Sequence, residues 1–138
     1  MRKRTQSREL ALKALYQIDI RNESISDVSE LVIGESYNIE PSVKEFADKL
    51  IRGTREKILI LDEKIGNYAT NWELKRMAIV DRNILRLACF ELLFCDDIPS
   101  KVTINEAVEL AKKFGDVESG KFVNGILDKF NKTELKKP

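Results

Sequence analysis

The chain has 138 residues, 43% hydrophobic and 34% charged, with a formal net charge of +1; this suits one patterned globular domain with a real core and excludes a disordered chain. Its 6 Gly and 3 Pro are too few for a β-sandwich, no apolar run is long enough to span a bilayer, and the N-terminus lacks the apolar stretch of a signal peptide. Histidine is absent, which removes the commonest zinc ligand and His-based nucleophile activation, so neither a cofactor nor an enzyme activity is expected.

The charge is uneven. Arg2, Lys3, Arg4 and Arg8 stand within residues 1–8 with no acid among them, leaving 20 cations against 23 anions in the remainder. A basic arm on a slightly acidic body points to a local polyanion contact rather than a generally sticky surface. The first helix is expected to start near Thr5 or Ser7, either of which can cap it, and to run to about Arg21. Leu12, Leu15 and Tyr16 give it an apolar stripe. Arg4 and Arg8 are one turn apart in line with Leu12, so a folded body would hold them beside the core. Neutralising about four phosphates of a single strand would give a salt slope of about −3. A solvated, frayed terminus is the alternative.

A second helix, from Ser26 to Tyr37, is anchored by Val28, Leu31 and Val32 and weakened by Gly34 and Asn38. Ser42-Val-Lys-Glu45 reads as a capping box. Beyond it Val43, Ala47, Leu50, Thr54, Ile58, Leu61 and Ile65 recur at three- and four-residue steps, predicting one continuous spine of roughly 35 Å. Gly66-Asn67 supplies a left-handed stop.

Asn71 can cap a new start at Trp72-Glu73, and Met77, Val80, Ile84, Leu87, Ala88 and Leu92 carry an apolar face to about Phe94. Asp81-Arg82-Asn83 is poor helix interior and predicts a break or a fresh start. Cys89 and Cys95, six residues apart on a helix, point to different faces and read as buried, inert thiols. Ile98-Pro99 ends the segment. Thr103-Ile-Asn-Glu106 reads as a second capping box, for a helix that buries Ile104, Ala107, Val108 and Ala111 and stops at Gly115. A last helix, Val117 to about Asn131, shows Phe122, Val123, Ile126, Leu127 and Phe130, followed by a frayed tail from Lys132 to Pro138. The sum is an all-α chain of six or seven amphipathic helices in two antiparallel halves, about 5–68 and about 72–131. With no Ser-, Gly- or Pro-rich linker between them, they should pack as a single domain over 1–138.

Several stretches together resemble the NusB family: Arg8-Glu-Leu-Ala-Leu-Lys-Ala-Leu-Tyr16, Asp81-Arg82-Asn83-Ile-Leu-Arg86-Leu-Ala, Glu91-Leu-Leu, Ile98-Pro99, Lys101 to Lys112, Phe114-Gly115 and Lys121-Phe-Val-Asn124-Gly125-Ile-Leu-Asp128. The resemblance covers nearly the whole chain and is densest from Trp72 to Lys129. It implies two small helical bundles side by side and a cytoplasmic binding protein. Such proteins pair with a small-subunit ribosomal protein, NusE, and bind the boxA segment of nascent single-stranded RNA. The pair helps RNA polymerase, in its antitermination complex, pass terminators in ribosomal RNA operons. Thr5, Gln6 and Ser7 make this arm less arginine-rich than the family's usual one. A purely protein-binding helical module, or the detached RNA-binding domain of an rRNA methyltransferase, is the alternative.

The resemblance also places Lys121 and Phe122 near the RNA, where a ring beside a cation is a usual platform for unstacked bases. Spacing alone makes Phe122 a core residue, in a row with Ile126 and Phe130. Tyr16 and Asp81 lie, by resemblance, at positions that face the ribosomal protein, and Glu118 near both RNA and that partner. Read from chemistry alone, Tyr16 ends an apolar stripe, while Asp81 and Glu118 stabilise helix N-termini through the dipole. Arg86 is open to pairing with Asp81 or with a partner carboxylate.

Overall fold

The computed structural model describes residues 2–22, 24–34, 38–69 and 74–135. Among them run seven α-helices: α1 Lys3–Arg21, α2 Ile25–Gly34, α3 Pro41–Glu56, α4 Ile58–Tyr68, α5 Ile79–Phe94, α6 Ser100–Phe114 and α7 Val117–Phe130. A 3₁₀ turn, Leu74–Arg76, precedes α5, and a π-helical turn, Asn131–Leu135, follows α7. The all-α expectation holds.

α5 is the hub. It packs against α1, α3, α4, α6 and α7. Its apolar residues therefore go all the way round, with Leu85, Cys89 and Phe90 buried as well as the predicted Ile84, Leu87, Ala88 and Leu92. Both cysteines are free and buried, and burial pushes the Cys89 thiol well above its usual range. Gly53 of α3 lies flat against the Phe90 ring: a Cβ there would fall 2.1 Å from the ring, so only glycine permits this approach.

Several local expectations give way to tertiary packing. The spine breaks at Lys57, whose ψ of 13° ends α3: both helices pack on α5, but α3 also packs on α1 whereas α4 turns toward α7. Neither capping box forms. Pro41 stands in the first turn of α3 and Pro99 is the N-cap of α6, so proline sets both starts ahead of Ser42 and Thr103. Nor do Thr5 and Ser7 cap α1, which begins at Lys3. The Ser7 hydroxyl donates instead to the Val43 carbonyl at 2.8 Å, tying α1 to α3. Gly66-Asn67 is no left-handed stop, since α4 runs on to Tyr68 and neither residue has a positive φ. The expected cap at Asn71, the start at Trp72-Glu73, the end of α2 at Tyr37, the Leu31 side chain and residues 136–138 lie outside the described residues. The tail is not frayed through Leu135: Glu134 accepts from Lys64 Nζ and the Tyr68 hydroxyl, each at 2.9 Å.

Arg86 does not pair with Asp81. Its guanidinium donates to Asp62 at 2.8 and 2.9 Å and to Asp19 at 3.1 Å, while Arg82 and Asn83 also bond Asp19. Burial works against the Asp19 charge, but these donors outweigh it and hold the carboxyl below its ordinary value. α1, α4 and α5 are clamped at one point.

Candidate nucleic-acid interface

The arm divides on folding. Arg2, the N-cap of α1, and Lys3 and Arg4, in its first turn, stay exposed, with no acid beside them in the sequence. Lys3 reaches Glu40 at 2.7 Å, with both side chains more than half exposed. Such surface pairs contribute about 0–1 kcal/mol, so a phosphate can displace Glu40 at little cost. Arg4 lies over the Phe46 ring, its guanidinium carbon 3.8 Å from the centroid, with Asp97 at 3.9 Å.

Arg8 is the correction. Expected among the RNA-binding cations, it is 2% exposed. Its Nε and Nη2 donate to the two Glu91 oxygens at 2.8 and 2.7 Å, and Nη1 donates to Glu106 at 3.3 Å. The row Arg4, Arg8, Leu12 does run toward the core, and it carries Arg8 all the way in. Burial opposes the guanidinium charge, but the Glu91 hydrogen bonds and the Glu91 and Glu106 charges prevail and keep it more firmly protonated than usual. The Thr103 hydroxyl donates to Glu91 at 3.1 Å and the Thr5 hydroxyl to Glu106 at 2.6 Å. With Nε, Nη1 and Nη2 each bonded to a carboxylate and the side chain buried, the Arg8 fork is out of reach of a phosphate. Arg8 pins the arm's base to α5 and α6.

Lys121 and Phe122 stand elsewhere. Lys121 is exposed and lies 3.6 Å from Glu118, while Phe122 is half-buried against the core. Arg2 shares a shallow cleft with Val102 and Asn105 in the first half of α6. The Lys112 stem, at its other end, packs against Gly120, where a Cβ would meet it at 2.9 Å. Asn105 and Lys112 are separated by roughly 10 Å of helix, so Lys121 and the arm occupy opposite ends of α6.

A second feature opens beside Lys121's end of α6. An open groove of about 660 Å³ is lined by Tyr16, Ile20, Val80 and Phe114, with Lys13 and Arg21 among its residues. Tyr16 and Ile20 are 38% and 48% exposed, so two large apolar side chains face solvent in the groove. Asp81 follows Val80 in the first turn of α5, and Glu118 lies on the exposed first turn of α7, four residues beyond Phe114. Asp81 is not a surface charge, however: it is 8% exposed and its Oδ1 has no hydrogen-bond partner. Burial, and to a lesser extent Asp116, pushes its carboxyl above the ordinary value against the pull of the Ser119 hydroxyl. Asp116 itself caps α7 by accepting from the Ser119 N–H at 2.8 Å.

The Asp81 shift has a sign. A carboxyl whose folded pKa lies above its unfolded one stabilises the fold at acid pH, and that stability is lost as pH rises through the folded value. Asp81→Asn removes the ionisation cost. The variant should therefore gain in melting temperature over the parent between about pH 3 and pH 8. A parent that gains over the variant with rising pH would show a paired, stabilising carboxylate.

The sequence assigns no site role to Phe46, Glu91, Glu106 or the groove residues Ile20, Val80 and Phe114. Glu91 carried a signal, as a lone acid inside the apolar run Leu87 to Phe94. Phe46 carried none, because only tertiary packing brings α3 under Arg4. Among the described residues no cluster of three or more Cys, Asp or Glu is placed to hold a metal, and no helix is long and apolar enough to cross a membrane.

The NusB family model matches residues 5–132. A transcription antitermination protein NusB from Anaeromyxobacter dehalogenans (strain 2CP-1 / ATCC BAA-258) is 51% identical over 127 residues, covering 92% of this chain and 89% of the relative. The solved NusB of T. maritima superposes with a TM-score of 0.86 at 43% identity, over 94% of this chain and 91% of that one. A crystal structure of the antitermination factors NusB and NusE in complex with dsRNA gives a TM-score of 0.88 at 32% identity, over 96% and 98%.

Proposed function

The chain belongs to the NusB family, and on that premise we propose that it is a transcription antitermination factor that binds single-stranded, boxA-type RNA together with the small-subunit ribosomal protein NusE. In this role it supports the transcription of ribosomal RNA operons as part of the antitermination complex of RNA polymerase, in the cytoplasm. Its action is binding rather than catalysis. The observation that carries this reading is the exposed triplet Arg2, Lys3 and Arg4, held on a helix whose base is locked by the buried Arg8–Glu91 pair.

A fixed row of cations meets a phosphate backbone without first losing the freedom of a loose tail, and the ions it releases make binding salt-dependent. The apolar groove with Tyr16 at its edge suits the ribosomal protein, whose apolar side chains would displace water from Ile20, Val80 and Phe114. Arm and groove are separate, so RNA and protein can be held at once. Lys121 and Phe122 then contact RNA that runs along α6, with Glu118 between RNA and partner. The ion pairs from α1 into α5 and α6 support a single working unit over the whole chain.

Replacing Arg2, Lys3 and Arg4 together by Ala tests the reading. With the phosphates beside these cations no longer neutralised, the salt slope on a single strand should flatten by about 1.4 for two phosphates and about 2 for three, and affinity should fall at every salt concentration. An unaltered slope would place the phosphates on other residues. A duplex of the same sequence, run in parallel, compares single-stranded with double-stranded RNA.

A further inference from the structure

We infer that Arg4, seated over the Phe46 ring, is a stacking platform for one unstacked RNA base rather than a simple phosphate contact; this rests on the RNA-binding reading above and deepens it. A guanidinium is a planar cation with two faces. The Arg4 guanidinium carbon stands over the Phe46 ring, 3.8 Å from its centroid, at van der Waals contact. Yet the Arg4 side chain is 51% exposed, so the stack is open on its solvent side.

The plane is also held. Phe46 is 8% exposed and fixed in the core between α1 and α3. Asp97 stands at 3.9 Å from the guanidinium, beyond a close hydrogen bond, so it biases the fork without occupying its donors. Arg8, whose guanidinium carbon is 5.9 Å from the same ring, is locked by Glu91 and Glu106. A tethered plane of this kind loses little freedom when a second plane settles on it. Bases stack on arginine planes as they do on aromatic rings, whatever their sequence, and the cation adds attraction for the base's π-face. Arg2, at the N-cap, and Lys3, on the first turn, lie immediately before Arg4, where the phosphates flanking such a base would run. A paired base in a duplex has no free face to offer, so the platform selects single strands.

The chemistry separates charge from shape. Arg4→Lys keeps the charge and removes the plane. On a single-stranded RNA, with the ribosomal-protein partner present, this variant should bind roughly tenfold more weakly, within the range for losing one stacked base, with the salt slope unchanged. Phe46→Leu, which keeps an apolar side chain in the core, should give a loss of the same order, with far-UV circular dichroism verifying the fold. A set of RNAs each lacking one base, with an abasic ribose in its place, locates the contact. At one position the parent should lose affinity and Arg4→Lys should lose no more. Arg4→Lys binding as the parent does, or a fall in the salt slope, would overturn the platform in favour of a phosphate contact. Additive losses at every abasic position would overturn it as well. A parent chain that binds no RNA would instead refute the RNA-binding reading beneath it.

Discussion

Arg8→Ala is expected to lower the free energy of unfolding by about 3–5 kcal/mol, the cost of stripping one partner from a buried ion pair. The substitution leaves Glu91, 1% exposed, and the part-buried Glu106 facing each other without a cation. Only the Thr103 and Thr5 hydroxyls would remain as donors, and neither carries charge. Small domains are stable by about 5–15 kcal/mol, so urea unfolding should show a large drop in midpoint with a nearly unchanged slope. Replacing both partners at once, Arg8→Met with Glu91→Leu, should recover much of the loss, because no unpaired Glu91 charge is then left buried. A single-variant loss below about 1 kcal/mol would mean that water reaches the site and that Arg8 is no anchor. Arg8→Lys should fall between, as an ammonium cannot grip both Glu91 oxygens in parallel.

The second large effect concerns the groove. Ile20→Asp should weaken binding of the ribosomal-protein partner by tenfold or more while leaving the chain's own RNA affinity within about twofold, since an unpaired carboxylate covered by a partner costs several kcal/mol. Ile20 is 48% exposed in the chain alone, so the fold should tolerate the change, and calorimetry reads the partner affinity directly. Unchanged partner binding would move the docking face away from the groove. Asp81→Lys, the more obvious choice from sequence, is a poorer probe. Asp81 is buried, and a lysine there would disturb the junction of α5 with Ser119 rather than an exposed rim.

The contrast between Asp81 and Ile20 shows what the sequence could say. Helical periodicity finds which residues share a face, and it correctly buried Val43, Ala47, Leu50, Leu61 and Ile65. It does not say which neighbour that face meets, so the break at Lys57 between two partners was invisible. The Ser/Thr-x-x-Glu spacing of a capping box is also the spacing of two residues on one inward face. Thr103 and Glu106 use it in that second way, toward Glu91 and Arg8. For the candidate site, the exposed half of the arm was legible because consecutive cations without acids are a local property. Arg8 looked the same locally, and only the buried carboxylate of Glu91, 83 residues away, sets it apart. The groove needs α1, α5 and α6 assembled before Tyr16, Val80 and Phe114 become neighbours, and no spacing within one helix encodes that.

The most direct measurement is the affinity for a single-stranded, boxA-type RNA at fixed salt, for the chain alone and with saturating ribosomal-protein partner. RNA held by the arm beside a partner docked in the groove should bind more tightly with the partner present, and Ile20→Asp should abolish that gain. RNA affinity that is negligible in both states, or identical with and without the partner, would contradict the joint recognition of RNA and protein proposed for this chain.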